Sequence, residues 1–146
     1  REAVAGDEAA LLDLIRELAA YEEMAADVVA SEPVLRYWLF EKRSARAMLM
    51  EETATSRPIG YVIYFYNFST FLGRSGIYIE DIYVKPEWRG HGIGSKVFSY
   101  LRERGAAEGC GRLEWQVLDW NESSIDFYEG MGAKPLAGWT QYRLVL

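Results

Sequence analysis

Cysteine and histidine are nearly absent from this sequence. Its 146 residues include one cysteine, Cys110, and one histidine, His91. A single cysteine excludes an internal disulfide and a cysteine-built metal site, and a single histidine excludes a histidine cluster. We therefore expect no bound metal, and a reducing compartment, the cytoplasm, as the location of the protein.

Long apolar runs and a signal-peptide pattern are missing as well. No run reaches the roughly 18 consecutive apolar residues that a membrane-spanning helix requires. The first residues also lack the basic segment, apolar segment and small-residue cleavage site that mark a secretion signal. We expect a soluble protein with no membrane partner. Half of the 146 residues are apolar, which is enough for one compact domain over residues 1–146.

The shortage of positive charge argues against nucleic acid as a partner. The formal net charge is −6, and phosphates would be repelled unless a local basic stripe existed, which the sequence does not show. The acids are concentrated in residues 1–32, where nine acidic residues face two basic ones. This region would favour a cationic partner, although the same acids could form only the solvated face of a helix.

The most informative stretch is residues 80–95, which read EDIYVKPEWRGHGIGS. Its first half alternates like a strand, Pro86 ends that pattern, and a glycine-rich turn precedes a helix that should begin near Ser95. Glycines let the main chain approach a ligand, and the unpaired N–H groups of a first helical turn bind anions. The stretch predicts a phosphate-binding turn, with a glycine-rich helix start that binds nothing as the alternative.

Two well-known nucleotide motifs do not fit this turn. A Walker loop requires GxxxxGK[ST], but here Gly94 is followed by Ser95 before Lys96. A dinucleotide-binding fingerprint requires GxGxxG, whereas Gly90, Gly92 and Gly94 follow one another at two-residue intervals. The spacing that fits is R-x-x-G-x-G.

Hydrophobic periodicity predicts the remaining elements. The segment between the second and third strands, residues 67–76, is expected to be a loop, and the whole is expected to be an α/β fold with α+β layers, in which helices flank a central mixed, mostly antiparallel sheet. The predicted helices cover about 7–22, 32–41, 95–109 and 121–131, and the predicted strands 47–52, 59–66, 77–84, 113–117 and 139–146.

The R-x-x-G-x-G turn resembles the motif of the GNAT superfamily of acetyl-CoA-dependent N-acetyltransferases. A second family segment, an asparagine followed by a tyrosine-containing helix that ends at glycine, is matched by residues 121–132. The two motifs stand in the required order, with a helix and a strand between them. The resemblance implies the GNAT fold, acetyl-CoA as cofactor and a homodimer, with the aromatic segment from Trp139 onward as a candidate contact.

Within this superfamily the sequence is most similar to the diamine and polyamine (spermidine/spermine) N-acetyltransferases and to their relative that acts on thialysine. The agreement is weaker over residues 41–58, which leaves the substrate and the dimer contacts open. The runs that carry the similarity are RELAAYEEM (16–24), IYIEDIYV (77–84), RGHGIGS (89–95) and WNESSIDFYEGMGA (120–133).

The resemblance also implies a set of cofactor-binding residues. Main-chain groups of one strand would bind the pantetheine arm, the glycine turn would hold the pyrophosphate, and an asparagine side chain would contact the same arm or serve only as a helix cap. His91 occupies a variable position and is expected to face solvent. The matching residues are Ile82, Tyr83, Val84, Arg89, Gly90, His91, Gly92, Ile93, Gly94, Ser95, Asn121 and Tyr128.

Two catalytic residues follow from the same match. Tyr128 would protonate the leaving thiolate, or else be an ordinary core aromatic, and Glu80 would take the proton of the amine through water. Because successive strand residues point to opposite faces, Glu80 and Asp81 cannot both face one cleft unless the strand is kinked, and a β-bulge would resolve the conflict. The alternative is that both are edge-strand acids in solvent.

For the amine, the resemblance implies Glu22 with its neighbour Glu23, the acids Glu80 and Asp81, and Phe71 as an aromatic wall. We therefore expect transfer of acetyl to a primary amine of a small cationic substrate, by direct attack in a ternary complex. Acetylation of another amine, such as a protein N-terminus or an aminoglycoside, and a non-catalytic acetyl-CoA sensor remain open. A basic group beside Glu80 would favour an amino acid, and an all-acidic groove would favour polyamines.

Overall fold

A computed structural model describes all residues from 1 to 146. They form two compact units, residues 1–115 and residues 116–146, and the single domain expected over the whole chain stays a prediction. The first unit contains the helices α1 (Glu8–Tyr21), α2 (Glu32–Leu35) and α3 (Ile93–Ala107) and the strands β1 (Arg46–Glu51), β2 (Pro58–Ser69), β3 (Arg74–Val84) and β4 (Leu113–Trp115).

The helices of the first unit lie close to where periodicity predicts them. Helix α1 buries Leu11, Leu12 and Leu14 along one side, as the apolar spacing requires. Helix α2 continues directly into a π-helical turn, Arg36–Glu41, so the predicted helix over 32–41 is confirmed with a change of winding. No helix of the chain combines the length and the apolarity that a bilayer crossing demands.

The four strands form one sheet in the order β1-β2-β3-β4. The first three pair antiparallel, and β4 pairs parallel to β3. The predicted mixed, mostly antiparallel sheet is confirmed. Its β4 is shorter than the strand predicted over 113–117.

The loop predicted over residues 67–76 is wrong, because most of it extends the β2–β3 hairpin. Asn67 pairs with Gly76 and Phe68 pairs with Ser75 in the ladder. Asn and Gly are poor strand formers, but the Asn67 amide donates at 2.8 Å to Glu114 of β4, on the far side of β3. A Cβ at position 76 would lie 2.7 Å from Asn67 Oδ1. Pairing across three strands therefore overrides local propensity.

The sheet carries a helix on each face. One face packs against α1 in a core that includes Leu11, Leu14, Tyr61 and Tyr83. The other face meets α3, where a Cβ on Gly105 would lie 3.3 Å from Ile77 Cδ1. This is the layered α/β architecture that the sequence predicts, and it places the N-terminal helix over the β2–β3 pair.

The second unit contains the helix α4 (Glu122–Gly130), which confirms the helix predicted over 121–131. The last strand predicted over 139–146 is wrong, because these residues adopt no regular secondary structure. Trp139 and Tyr142 are 82% and 91% exposed. A strand needs a partner to satisfy its backbone groups, and residues 116–146 contain no other strand, so β-propensity alone does not form one.

Candidate active site

A β-bulge interrupts the β2–β3 ladder at the position that the sequence singles out. Ile63 pairs with Asp81 and the next residue, Tyr64, pairs with Ile79, so Glu80 is the extra residue. Without the bulge Asp81 would share a face with Ile79; with it, Asp81 turns to the α1 face. The bulge that would resolve the conflict between the two acids is present, and it places Asp81 on the α1 side.

Asp81 is held by a buried tyrosine. The hydroxyl of Tyr61 donates to Asp81 Oδ2 at 3.1 Å, and Tyr61 itself is fully buried. Burial is the largest effect on the pKa of Asp81 and raises it, the hydrogen bond from Tyr61 lowers it, the charges of Glu80 and Glu22 raise it, and the net pKa is about 6. Asp81 therefore titrates much nearer to neutral pH than an exposed aspartate does.

Glu22 joins this group from the C-terminal end of α1. Burial raises the pKa of Glu22, and its charge reaches both Asp81 and Tyr61. Two charged groups shift the pKa of Asp81, namely Glu22 and Glu80, and both are acidic. Three carboxylates thus influence one another electrostatically around the bulge, which is an arrangement that attracts cations.

Two other residues predicted for the amine lie differently. Glu23 is exposed and has a φ of +59° just after the end of α1. Phe71 lies in the turn of the β2–β3 hairpin and is 97% exposed. The turn is separated from the bulge by most of a strand, or roughly 20 Å at 3.3 Å per residue. The structure brings Glu22, Glu80 and Asp81 together but does not bring Phe71 to them.

The glycine turn has the geometry of an anion cradle. Gly90 and Gly92 have φ values of +78° and +74°, which favour glycine because a Cβ would strain such a backbone. Gly92 caps α3, and the first turn of that helix contains no acidic residue. The first N–H groups of α3 and its positive dipole end are therefore compatible with a phosphate. The helix begins at Ile93, two residues before the predicted Ser95.

Arg89 does more than sequence reasoning predicts. Its Nε donates to the Val84 carbonyl at 2.9 Å, and its guanidinium lies 4.8 Å from the ring centroid of Tyr21 and 5.7 Å from that of Tyr83. Arg89 thus joins the turn to α1 and β3, and its contact with a pyrophosphate stays a prediction.

His91 is exposed, as expected, but its ring also contacts the main chain of the turn. The Nδ1 atom lies 3.2 Å from the Trp88 carbonyl and 2.9 Å from the Arg89 carbonyl. Because both neighbours are acceptors, Nδ1 must donate. The side chain therefore helps to hold the shape of the turn.

A second link between α1 and β3 was missed by sequence reasoning. Glu17 accepts from Lys85 Nζ at 2.8 Å and from the Tyr83 hydroxyl at 3.2 Å. Periodicity places Glu17 on the polar side of α1, and nothing in the sequence points to partners 66 and 68 residues away. Tyr61 was missed for the same reason, since only the strand register shows that it faces Asp81.

One edge of β3 is open along the residues predicted for the pantetheine arm. Ile82, Tyr83 and Val84 pair with β2 on one side. On the other side β4 pairs only with residues 77–79. The outer edge after the bulge therefore has no partner strand, and an extended, amide-bearing ligand can add there as a strand does.

In the second unit, Asn121 acts as the cap of α4. Its Oδ1 accepts from the Ser124 N–H and from the Ser123 hydroxyl, both at 3.3 Å. Tyr128 lies within the same helix, with its ring centroid 5.5 Å from that of Phe127. The capping function read from the sequence is present, and the cofactor contacts of Asn121 and Tyr128 stay predictions.

Comparisons with known proteins show which family the chain resembles. A model of the acetyltransferase (GNAT) family matches residues 11–133. Over 98% of its length the chain is 42% identical to thialysine N-epsilon-acetyltransferase of Bos taurus, of which it covers 89%. It is 30% identical to spermidine/spermine N(1)-acetyltransferase-like protein 1 of Homo sapiens over 98% of this chain and 22% of that protein.

Solved structures extend the similarity to the fold. An integron cassette protein from V. cholerae aligns with a TM-score of 0.81 at 24% identity, over 99% of this chain and 90% of that one. A Trypanosoma brucei acetyltransferase aligns with a TM-score of 0.76 at 26% identity, over 100% and 97% of the two chains.

Proposed function

The chain belongs to the GNAT family of acetyltransferases, and from this premise we propose that it transfers the acetyl group of acetyl-CoA to a primary amine of a small cationic substrate. A polyamine, a diamine or a thialysine-like amino acid has the required chemistry. The observation that carries the proposal is the convergence of Glu22, Glu80 and Asp81 at the β3 bulge, beside an open strand edge.

The residues of the chain fit the cofactor. Acetyl-CoA supplies an activated acetyl thioester. The open edge of Ile82, Tyr83 and Val84 suits the amides of its pantetheine arm, and the positive-φ glycines with the start of α3 suit its pyrophosphate. Asn121 would add its side-chain amide to the binding of the arm.

The chemistry of the amine follows from the acids. A substrate ammonium must lose a proton before its nitrogen can attack, and Glu80, the extra residue of the bulge, would accept that proton through water. Asp81, with a pKa of about 6, is mostly ionised near pH 7 and would bind the ammonium. Glu22 would add a further negative charge that attracts the substrate.

Tyr128 would complete the reaction as the acid that protonates the leaving thiolate. Its hydroxyl is a suitable donor because a tyrosine remains protonated near neutral pH. The amine would attack the thioester carbonyl directly, so the chain would need no covalent intermediate of its own. Alignment of the two substrates would supply much of the rate acceleration.

The substrate class rests on charge. The charged groups that shift the pKa of Asp81 are both acidic, which suits an ammonium group. This supports recognition of an aminoalkyl end, which polyamines and thialysine share. The 42% identity to a thialysine N-epsilon-acetyltransferase supports a substrate whose reacting amine also lies at an aminoalkyl end.

A coupled assay of coenzyme A release tests the proposal. The panel should contain spermidine, putrescine, thialysine, lysine, an aminoglycoside and a peptide with a free N-terminus. We expect turnover with the first three substrates and loss of turnover in Glu80→Gln. Turnover only with the peptide or the aminoglycoside would contradict the small-amine proposal, and tight acetyl-CoA binding without any turnover would indicate a sensor.

A further inference from the structure

Tyr61 carries a polar hydroxyl within the hydrophobic core. Its side chain is fully buried in the core cluster that also contains Leu11, Leu14 and Leu49. Its ring centroid lies 6.4 Å from that of Tyr83, and its hydroxyl donates to Asp81 Oδ2 at 3.1 Å. Core packing fixes the ring, so the position of this donor is fixed as well.

We propose that Tyr61 is a positioning residue for the amine substrate: it holds Oδ2 of Asp81 so that Oδ1 is presented to the ammonium group. The inference rests on the proposed function, in which Asp81 binds the ammonium. Tyr61 itself does not touch the substrate. It acts through Asp81 only.

Packing alone does not explain the hydroxyl. A phenylalanine would fill the same space without the cost of burying a polar group. The Tyr61 hydroxyl hydrogen-bonds to Asp81, and a buried hydroxyl beside a half-buried carboxylate adds little net stability compared with two apolar groups. The pair is therefore better explained by a requirement for a fixed, charged Asp81 than by the needs of the core.

The groups around Asp81 act in opposite directions. Glu80 on the same strand and Glu22 at the end of α1 raise its pKa, as burial does. The Tyr61 hydroxyl, donated from β2, lowers it. Loss of this hydroxyl would shift Asp81 towards its neutral form near neutral pH, where it could no longer attract an ammonium group by charge.

The chain provides a matched control on the same strand. Tyr64 is also fully buried, and its hydroxyl also donates to a carboxylate, that of Glu2, at 3.4 Å. It lies on the α3 face of the sheet, where its ring is 5.7 Å from the guanidinium of Arg104. Tyr64→Phe therefore removes a similar hydrogen bond without touching Asp81.

The experiment compares Tyr61→Phe with Tyr64→Phe. Steady-state kinetics with spermidine should show a rise of about tenfold in KM for Tyr61→Phe, the size expected for one hydrogen bond to a charged group. The kcat at saturating spermidine and the Kd of acetyl-CoA should not change, and Tyr64→Phe should keep the wild-type KM. A carbon-13 pH titration of the Asp81 carboxyl should show a raised pKa in Tyr61→Phe only.

Unchanged KM and unchanged Asp81 titration in Tyr61→Phe would overturn the inference, and so would equal effects in the two variants. If the wild type acetylates no amine, the proposed function fails, and the Asp81 carboxyl signal still decides this question. A spermidine-induced shift of the Asp81 carboxyl carbon-13 signal that is present in the wild type and lost in Tyr61→Phe would support positioning. No such shift in the wild type would contradict it. If Tyr61→Phe does not fold, 3-fluorotyrosine at position 61 keeps the shape and should lower the Asp81 pKa.

Discussion

Burial makes the ionised carboxylate of Asp81 a source of instability in the folded chain. Its pKa is raised to about 6, first by burial and then by neighbouring acids, whereas an unfolded chain would have an ordinary aspartate value of about 3.9. Between these pH values the folded chain keeps the proton and the unfolded chain loses it. The free energy of unfolding therefore falls as pH rises from about 4 to about 6 and stays lowered above that range.

Asp81→Asn should consequently stabilise the chain near neutral pH while abolishing amine acetylation. The amide keeps an acceptor for Tyr61 but carries no charge, so the gain should be on the order of 2–3 kcal/mol near pH 7.5 and should shrink near pH 4. Chemical denaturation at both pH values measures it. The exposed neighbour variant Glu23→Gln should show no such pH dependence, and an equal gain at both pH values for Asp81→Asn would contradict the explanation.

At the scale of elements, the bulge at Glu80 separates two functions of one strand. Before it, residues 77–79 pair with β4. After it, Ile82, Tyr83 and Val84 present an open edge. The bulge also sends Asp81 to the α1 face, so a single extra residue both ends the β3–β4 pairing and builds the acidic group.

Deleting Glu80 should straighten β3 without misplacing the residues around it. Ile79 and Asp81 already lie on opposite faces, so their direct connection restores regular alternation and the fold should survive. We expect the Kd of acetyl-CoA to rise because, without the bulge, the β3–β4 pairing could continue past residue 79 and cover the open edge. Glu80→Gln keeps the bulge and should keep that Kd while losing turnover, whereas a deletion variant with wild-type acetyl-CoA affinity would refute the role of the bulge.

Much of this element pattern could be predicted from the sequence, and the failures share a cause. The adjacent acids Glu80 and Asp81 indicated where a bulge would be needed if both were to face one cleft, and the structure has a bulge there. The hairpin extension and the unformed last strand did not follow, because strand formation depends on partners: Asn67 reaches Glu114, and within residues 116–146 there is no strand for residues 139–146 to pair with. Tyr61 likewise required the register, which no local pattern encodes.

At the scale of the molecule, the acidic residues of the N-terminal region fall into two groups, those with an ion-pair partner and those without one. Five of the nine acids in residues 1–32 form ion pairs. The acids without such a pair are Glu22, Glu23, Asp27 and Glu32, and three of them follow closely on the end of α1. The solvated-face explanation is therefore insufficient, since the uncompensated charge is concentrated where the amine is proposed to bind.

This concentration of charge predicts a salt dependence that differs between substrates. Raising potassium chloride from about 50 to about 500 mM shortens the screening length severalfold. The KM for spermidine should rise more steeply than the KM for a monoamine, because attraction scales with the charges of the substrate. Steady-state kinetics over this range measures both slopes, and parallel slopes would show that the acids do not steer the substrate.

The π-helical turn after α2 has a consequence for how this chain is aligned with its relatives. Lys42 N–H donates to the Tyr37 carbonyl, five residues back, at 2.7 Å, so the turn holds one residue more than an α-helical turn. A helix that absorbs an insertion in this way keeps its flanking residues in register. An alignment to a relative with a regular helix should therefore open a one-residue gap within 36–41, and a gap placed in the following loop would misalign the π turn itself.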